Sequence, residues 1–226
     1  MDTWRIWLYP LGFLGGIAFA VRFFVQLYVS EKAKKSIVPR SFWQLSLVGN
    51  IFLVLHSLIQ MQCHVCLIQA SNSVISWRNL DLTQQEHPPV LFKYVVMRLI
   101  LVLSLVLGAF WFQNWLLADQ GSWLRTPIAP WQHTQTQPIA LYWHVLGGLT
   151  YFLFASRFWI QWIYAEKSHT SQLPLIFWCI SLIGAILSLF YFIRINDMVN
   201  LMGPLLGIIP YIRNLMLIVK AKQVNI

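Results

Sequence analysis

Two arginine–glutamine pairs in this sequence have the spacing and chemistry of a phosphate-binding site. Arg22 and Gln26 are four residues apart, and so are Arg157 and Gln161. On an α-helix this spacing places both side chains of a pair on one face, about one turn apart. A guanidinium binds a phosphate through two parallel hydrogen bonds. The pattern therefore indicates a site for a phosphate group, present twice in the chain.

A second arginine and amide follow each pair at the end of a later apolar segment, Arg78-Asn79 and Arg213-Asn214. We expect each half of the chain to gather its four side chains into one basic pocket that binds a lipid head group. The alternative is that these arginines extend to the membrane interface and only cap helix ends. The predicted phosphate-binding residues are Arg22, Gln26, Arg78, Asn79, Arg157, Gln161, Arg213 and Asn214.

Other polar residues within apolar segments have two possible roles. Asn50, His56 and His144 either line a polar cavity or form hydrogen bonds between helices. Cys63 and Cys66 have the spacing of a redox motif, or are an apolar pair at a helix end. Only seven carboxylates occur, with no phosphate-binding glycine loop, zinc cluster or nucleophile elbow. We therefore expect no metal or cofactor and find no catalytic motif, which leaves enzymatic activity undecided.

The composition of the 226 residues predicts a membrane protein. Hydrophobic residues make up 58% of the chain and charged residues 10%, which is typical of a polytopic all-α membrane protein. The net charge of +9 comes from residues in short loops and helix ends. Such residues interact with anionic lipid and set membrane orientation, so nucleic acid is not an expected partner.

An internal repeat organises the chain. An offset of 135 positions aligns Arg22 with Arg157, Pro39 with Pro174, and the later Arg-Asn pairs with each other, all without a gap. At about 20 residues per span, three membrane helices are predicted in each copy and one between the copies. The predicted spans are 6–29, 42–60, 65–82, 99–118, 139–164, 175–194 and 199–219.

An odd number of helices gives the two copies the same orientation. Three helices end on the opposite side from where they began, and the linking helix returns the chain, so the repeats are predicted to be parallel. The predicted units are 1–86, 87–138 with the linking helix and an external loop, and 139–226. Lys and Arg favour one side by ten to three, which places the N-terminus in the periplasm and the C-terminus in the cytoplasm of a bacterial inner membrane.

The run RFFVQ…SEKAKKSIVPRSFWQLSLVG, followed by WRNL, resembles the lipid A biosynthesis N-terminal domain family. The resemblance covers roughly 10–82 and 144–220. It implies a fold similar to PQ-loop and SWEET-type transporters. It also implies association with lipid-A-disaccharide synthase, a cytoplasmic glycosyltransferase, because the module occurs fused ahead of that enzyme.

Two functions follow from these observations. In the first, the chain binds, positions or translocates a phosphorylated glycolipid, or anchors the synthase. Its partners are then membrane lipids or a lipid-linked phosphorylated substrate. In the second, it transports a small polar solute by rocking its two halves around a central cavity.

Overall fold

The computed structural model describes residues 3–84, 87–116, 123–125 and 140–224, and within these ranges the chain is helical without a strand. The predicted all-α class is confirmed. A short helix is followed by seven long ones. The helices are α1 (Thr3–Trp7), α2 (Leu11–Ala33), α3 (Arg40–Ile59), α4 (Cys63–Leu82), α5 (Phe92–Leu116), α6 (Leu141–Ser168), α7 (Leu175–Ile195) and α8 (Met198–Val224).

The first loop of each repeat is built in the same way. Helices α2 and α6 are followed by the capping residues Lys34 and His169, both in the left-handed conformation with φ of 54° and 51°. Helices α3 and α7 then follow Pro39 and Pro174, whose extended backbone turns the chain into the next helix. The repeat therefore extends from sequence to backbone conformation at equivalent positions.

Helix α5 differs from the sequence-based expectation, and helix α8 contains two prolines. Helix α5 begins at Phe92 and not at residue 99, because Arg98 lies over the Trp77 ring at 4.0 Å and does not end the helix. Helix α8 is continuous although it contains Pro204 and Pro210. The carbonyl of Pro210 accepts a hydrogen bond from Asn214 Nδ2 at 2.9 Å, so a side chain binds backbone inside the Pro-containing stretch.

Five helical segments in the described part of the chain are long and apolar enough to cross a membrane: Trp4–Ala33, Arg40–Ile59, Phe92–Leu116, Leu175–Ile195 and Met198–Ala221. The prediction had seven spans. Helices α4 and α6 fall short because polar side chains lie along them, among them Asn72 and Asn79 in α4 and Thr150 and Gln161 in α6. These four side chains are buried inside the protein.

Six of the seven long helices pack as two sequential triples. Helices α2, α3 and α4 pack in order, as do α6, α7 and α8, and the triples meet where α2 contacts α8 and α4 contacts α6. The linking helix α5 packs mainly on α4. An aromatic core that includes Phe23, Trp43, Phe158, Trp178 and Tyr211 fills the space between the triples.

Two glycines allow α2 and α3 to approach closely. A Cβ on Gly15 would lie 3.0 Å from the carbonyl oxygen of Gly49 and 2.7 Å from the side chain of Leu53. A Cβ on Gly49 would lie 2.5 Å from the ring of Phe19. Gly49 therefore makes room for Phe19, which lines the site described below.

Candidate functional site

A cavity of about 90 Å³ lies between the two triples. Side chains from α2, α4, α6 and α8 line it, so each repeat contributes to its wall. Both Arg22 and Arg157 face this cavity. They are 2% and 6% exposed, so neither extends to the surface of the protein. The snorkelling alternative does not describe their position.

Aromatic rings surround the guanidinium of Arg22. Its Cζ atom lies 4.1 Å from the ring centre of Phe19 and 4.7 Å from that of Phe23. Nη1 donates to Ser46 Oγ at 2.9 Å, while Nε is buried without a hydrogen-bond partner. Ring faces attract a cation but accept no conventional hydrogen bond, so Arg22 retains an unused donor.

Arg157 has an equivalent setting with one different partner. Its Cζ lies 4.2 Å from the ring centre of Phe154, and Nη1 donates to the Tyr211 hydroxyl at 3.0 Å. Its Nε is also buried without a partner. Gly207 permits this arrangement, because a Cβ there would lie 2.5 Å from the Tyr211 ring.

Both positive charges lie near one aromatic ring. The Cζ atoms of Arg22 and Arg157 lie 5.4 and 5.0 Å from the ring centre of Phe158, so the two atoms are at most about 10 Å apart. Neither guanidinium bonds to a carboxylate in the part of the chain that the structure describes. Two charges at this distance or closer repel by at least roughly 1.5 kcal/mol in an environment of dielectric constant 20. An anion at Phe158 would replace this repulsion by attraction.

The four amides of the sequence motif pair across the two repeats. Gln26 Nε2 donates to Asn214 Oδ1 at 2.8 Å, and Asn214 Nδ2 donates back at 2.9 Å. Gln161 Nε2 donates to Asn79 Oδ1 at 2.7 Å, and Asn79 Nδ2 donates back at 3.1 Å. All four residues are completely buried. They form structural cross-links and do not line the cavity.

The remaining two arginines also bind the opposite repeat. Arg78 donates through Nε and Nη2 to the two carboxylate oxygens of Glu166, at 2.6 and 2.8 Å. Arg213 donates through the same two atoms to Glu31. The Arg78 side chain is 4% exposed, whereas that of Arg213 is 44% exposed. These ion pairs and the amide pairs together form a polar seam between the repeats.

The eight motif residues are therefore grouped differently from the prediction. The expectation was two pockets, each with two arginines from one repeat. The structure instead brings Arg22 and Arg157 to one shared cavity and places the other six in the polar seam. The reason is that the third helix of each repeat packs against the first helix of the other. Glu31 and Glu166 were aligned in the repeat, but the sequence did not identify them as partners.

The proposed cavity-lining residues do not face this cavity where the structure describes them. Asn50 donates to Ser76 Oγ at 3.2 Å, and the His56 ring packs edge-on against Tyr9 at 5.3 Å. Neither residue lines the cavity. The side chain of His144 lies outside the described residues. Gln69 and Asn72 line the wall, although they are not among the residues predicted from the sequence. The sequence signal that could have identified them is the presence of two amides among the small residues of α4.

Cys63 and Cys66 are buried free thiols in the first turn of α4. The backbone N–H of Cys63 donates to the carbonyl of Trp123 at 2.8 Å, which attaches residues 123–125 to this turn. Within the described ranges, no group of three or more His, Cys, Asp or Glu side chains could hold a metal ion.

A comparison with known families identifies the two halves of this site. The sequence model of the Lipid A Biosynthesis N-terminal domain matches residues 11–81 and again residues 146–216. The chain belongs to this family. The two matches are offset by the same 135 positions as the motif residues, and each contains one complete Arg, Gln, Arg and Asn set. The cavity thus lies between two Lipid A Biosynthesis N-terminal domains.

Longer curated proteins contain the same pair of domains. The chain is 36% identical over 219 residues to a lipid-A-disaccharide synthase of Chlamydia felis and 37% identical over 216 residues to that of Chlamydia pneumoniae. It is 33% identical over 210 residues to the synthase of Chlamydia trachomatis. These alignments cover 93–96% of this chain but 34% of each relative, so the chain spans about a third of their length. No solved structure matches the chain.

Proposed function

We propose that this chain is a membrane module of lipid A biosynthesis that binds a phosphorylated lipid or glycolipid between Arg22 and Arg157, and positions or translocates it. The observation that carries the proposal is two buried guanidiniums in one cavity, neither of which is bonded to a carboxylate of the described residues. A charged side chain in a membrane costs about 2.5–3.5 kcal/mol on insertion scales. Retaining two of them at equivalent positions requires compensation that a phosphate would supply.

The interaction energies favour a bound anion in addition to the contacts with aromatic rings. Cation–π contacts contribute about 2 kcal/mol when desolvated, but they leave the Nε donors of Arg22 and Arg157 unsatisfied. A charge-assisted hydrogen bond contributes about 1.5–3 kcal/mol. A phosphate placed against Phe158 could accept from both guanidiniums, because it has three or more acceptor oxygens. It would also remove the repulsion between the two charges.

The membrane arrangement belongs to this proposal. All seven long helices would cross the bilayer, with the polar faces of α4 and α6 turned inward. The triples would be parallel, as in PQ-loop and SWEET-type transporters, with α5 as the linking helix. The reciprocal seam contacts at positions offset by 135 support a two-fold relation between the repeats. The excess of Lys and Arg supports an inner-membrane location with a cytoplasmic C-terminus.

A glycosyltransferase is the proposed partner. The similar proteins of Chlamydia are named lipid-A-disaccharide synthase, and this chain matches about a third of each. The remaining two thirds of such a protein would lie beside the module, either in the same chain or as a separate subunit. The module would then hold a lipid substrate near the catalytic part at the membrane surface.

Lipid binding by matched variants tests the proposal. Affinity for phosphatidic acid in mixed micelles is measured for the full chain, with diacylglycerol as the phosphate-free ligand. We expect Arg22→Gln and Arg157→Gln each to lower the affinity by about 10- to 100-fold, the equivalent of one charge-assisted contact. Arg22→Lys should recover part of the loss, because an ammonium cannot form the bidentate contact.

Arg40→Gln is the control, because it removes the same charge from an exposed position at the start of α3. It should change the affinity less than twofold at moderate salt, where exposed charges are screened. Equal affinities for Arg22→Gln and the unmodified protein, with helicity intact by circular dichroism, would reject the proposal. An equal loss for Arg22→Gln and Arg40→Gln would also reject it, since only general attraction to anionic lipid would remain.

Transport of a small polar solute is the second candidate. The observation in its favour is that the cavity lies between the two triples, where rocking of one against the other could expose it to either side. Uptake of a labelled sugar into proteoliposomes, compared with flip of a labelled phospholipid in the same vesicles, separates the two functions. Sugar uptake without lipid movement would favour the solute.

A further inference from the structure

The wall of the cavity carries a second kind of polar group besides the two arginines. Gln69 and Asn72, one turn apart on α4, both line it. Gln69 Oε1 and Asn72 Oδ1 are buried and have no hydrogen-bond partner. Asn72 is 6% exposed. The amides of the polar seam, in contrast, are reciprocally paired, so the cavity amides are available for a ligand.

The chemistry of these amides indicates what they would bind. A buried acceptor without a partner costs about 1–3 kcal/mol, and a ligand that donates a hydrogen bond removes that cost. A hydroxyl both donates and accepts. It therefore satisfies a side-chain amide whichever way its oxygen and nitrogen are turned. The hydroxyls of a sugar or polyol have the required chemistry, and the neighbouring Phe19 and Phe158 rings suit the apolar face of such a group.

The two repeats differ at these positions. The residues aligned with Gln69 and Asn72 in the second repeat are Pro204 and Gly207, which have no polar side-chain atom. The arginines are thus duplicated, whereas the amides come from the first repeat alone. A ligand held by both sets has one orientation: its phosphate lies between the repeats and its hydroxyls lie toward α4.

The size of the cavity limits the ligand further. A cavity needs about 10–15 Å³ to hold one water, so 90 Å³ accommodates a head group of several heavy atoms, such as a phosphate with a short polyol. It does not accommodate acyl chains of membrane length, which would have to leave between helices.

We propose that the cavity binds one phosphate ester per chain whose alcohol part carries free hydroxyls, with the phosphate between Arg22 and Arg157 and the hydroxyls on Gln69 and Asn72. This inference rests on the proposed function and specifies its ligand. The same head-group chemistry occurs in a soluble sugar phosphate and in a lipid such as phosphatidylglycerol.

Calorimetric titration of the detergent-purified chain tests the inference. The soluble probes are glycerol 3-phosphate, inorganic phosphate and glycerol, which suit the size of the cavity. The lipid probes are phosphatidylglycerol and phosphatidylethanol, two phosphodiesters of equal charge of which only the first has free hydroxyls. We expect glycerol 3-phosphate to bind at least about tenfold tighter than inorganic phosphate, the equivalent of one or two hydrogen bonds. Phosphatidylglycerol should likewise bind tighter than phosphatidylethanol, and tight binding by only one class of probe would identify the source of the head group.

Variants of the two amides test binding of the hydroxyls separately from binding of the phosphate. Asn72→Leu should weaken the binding of glycerol 3-phosphate or phosphatidylglycerol by about tenfold and leave the binding of inorganic phosphate unchanged. Gln69→Met provides the same test if Asn72→Leu does not fold. The control is Asn114→Leu, which removes a similarly unpartnered amide from α5, outside the cavity. It should change none of these affinities.

The outcomes distinguish this inference from the proposed function. If Arg22→Gln abolishes binding while the Asn72 and Gln69 variants bind all probes normally, the hydroxyl assignment is wrong and the phosphate site remains. The same conclusion follows if hydroxyl-bearing and hydroxyl-free phosphates bind equally. If Arg22→Gln leaves phosphate binding unchanged, the proposed function is wrong as well.

Discussion

Replacing Glu166 by Gln tests whether the polar seam stabilises the association of the two repeats. The two ion pairs of the seam occupy equivalent positions, so the same substitution can be made in each. In one pair the Arg78 side chain is 4% exposed and that of Glu166 is 18% exposed. In the other, Arg213 and Glu31 are 44% and 38% exposed. The two pairs have the same residue types and differ in burial, and Arg78 has further contacts to Asp81 and the Val90 carbonyl.

The contacts of Arg78 determine the expected magnitude. Glu166 accepts from Arg78 Nε and Trp162 Nε1 through one oxygen and from Arg78 Nη2 through the other. Glu166→Gln leaves one acceptor oxygen, which can keep the first two contacts but not that with Nη2, while Asp81 and the carbonyl of Val90 still bind Nη1. One charge-assisted hydrogen bond is lost, so we expect the free energy of unfolding to fall by about 1.5–3 kcal/mol. For a chain of this size that corresponds to a fall in Tm of about 3–12 °C.

The assay is thermal unfolding in detergent, followed by tryptophan fluorescence and by helical circular dichroism. Glu31→Gln is the matched control, and its Tm should change little, because solvent screens the exposed Arg213–Glu31 pair. Equal falls in Tm for the two variants would refute the argument from burial. An unchanged Tm for Glu166→Gln would show that the buried Arg78–Glu166 pair contributes nothing measurable to stability.

Two further predictions concern topology and packing. Fusions at Ile226 should give a fluorescent green fluorescent protein and an inactive alkaline phosphatase, and an active phosphatase would refute the cytoplasmic C-terminus. Gly15→Ala should lower the free energy of unfolding by about 1–3 kcal/mol, because the added Cβ meets the Gly49 carbonyl and overpacks the helix contact. Gly108→Ala, which meets nothing within 4 Å, should leave Tm unchanged in the same thermal assay, and equal effects of the two alanines would contradict this explanation.

Much of the secondary structure could be predicted because its signals are local. Apolar runs of about 20 residues, ended by Lys34 and His169 and restarted after Pro39 and Pro174, place the ends of α2, α3, α6 and α7 within a few residues. The start of α5 could not be found in this way. Its arginine lies against a ring of α4, and that contact is not visible in the sequence of α5 alone.

The arrangement of the site depended on information that a repeat does not contain. Aligning Arg78 with Arg213 and Gln26 with Gln161 shows which residues are equivalent. It does not show whether Gln26 pairs with the amide of its own repeat or with that of the other, because both choices use the same residue types. Geometry decides this: α2 packs against α8, so Gln26 pairs with Asn214.

The reciprocal amide pairs have a consequence for a single copy of this domain. Each repeat supplies a glutamine that pairs with the asparagine of the other, so one repeat alone would lose both reciprocal pairs and keep only the bonds within itself, such as those of Gln26 to Ser30 and of Asn79 to the Ile75 carbonyl. Two separate copies could satisfy each other in the same way, if both were inserted in the membrane in the same direction. The duplicated chain is equivalent to such a homodimer joined covalently by α5. Fusion fixes the stoichiometry, and it freed the two halves to diverge, as Tyr211 against Ser76 and Gln69 against Pro204 show.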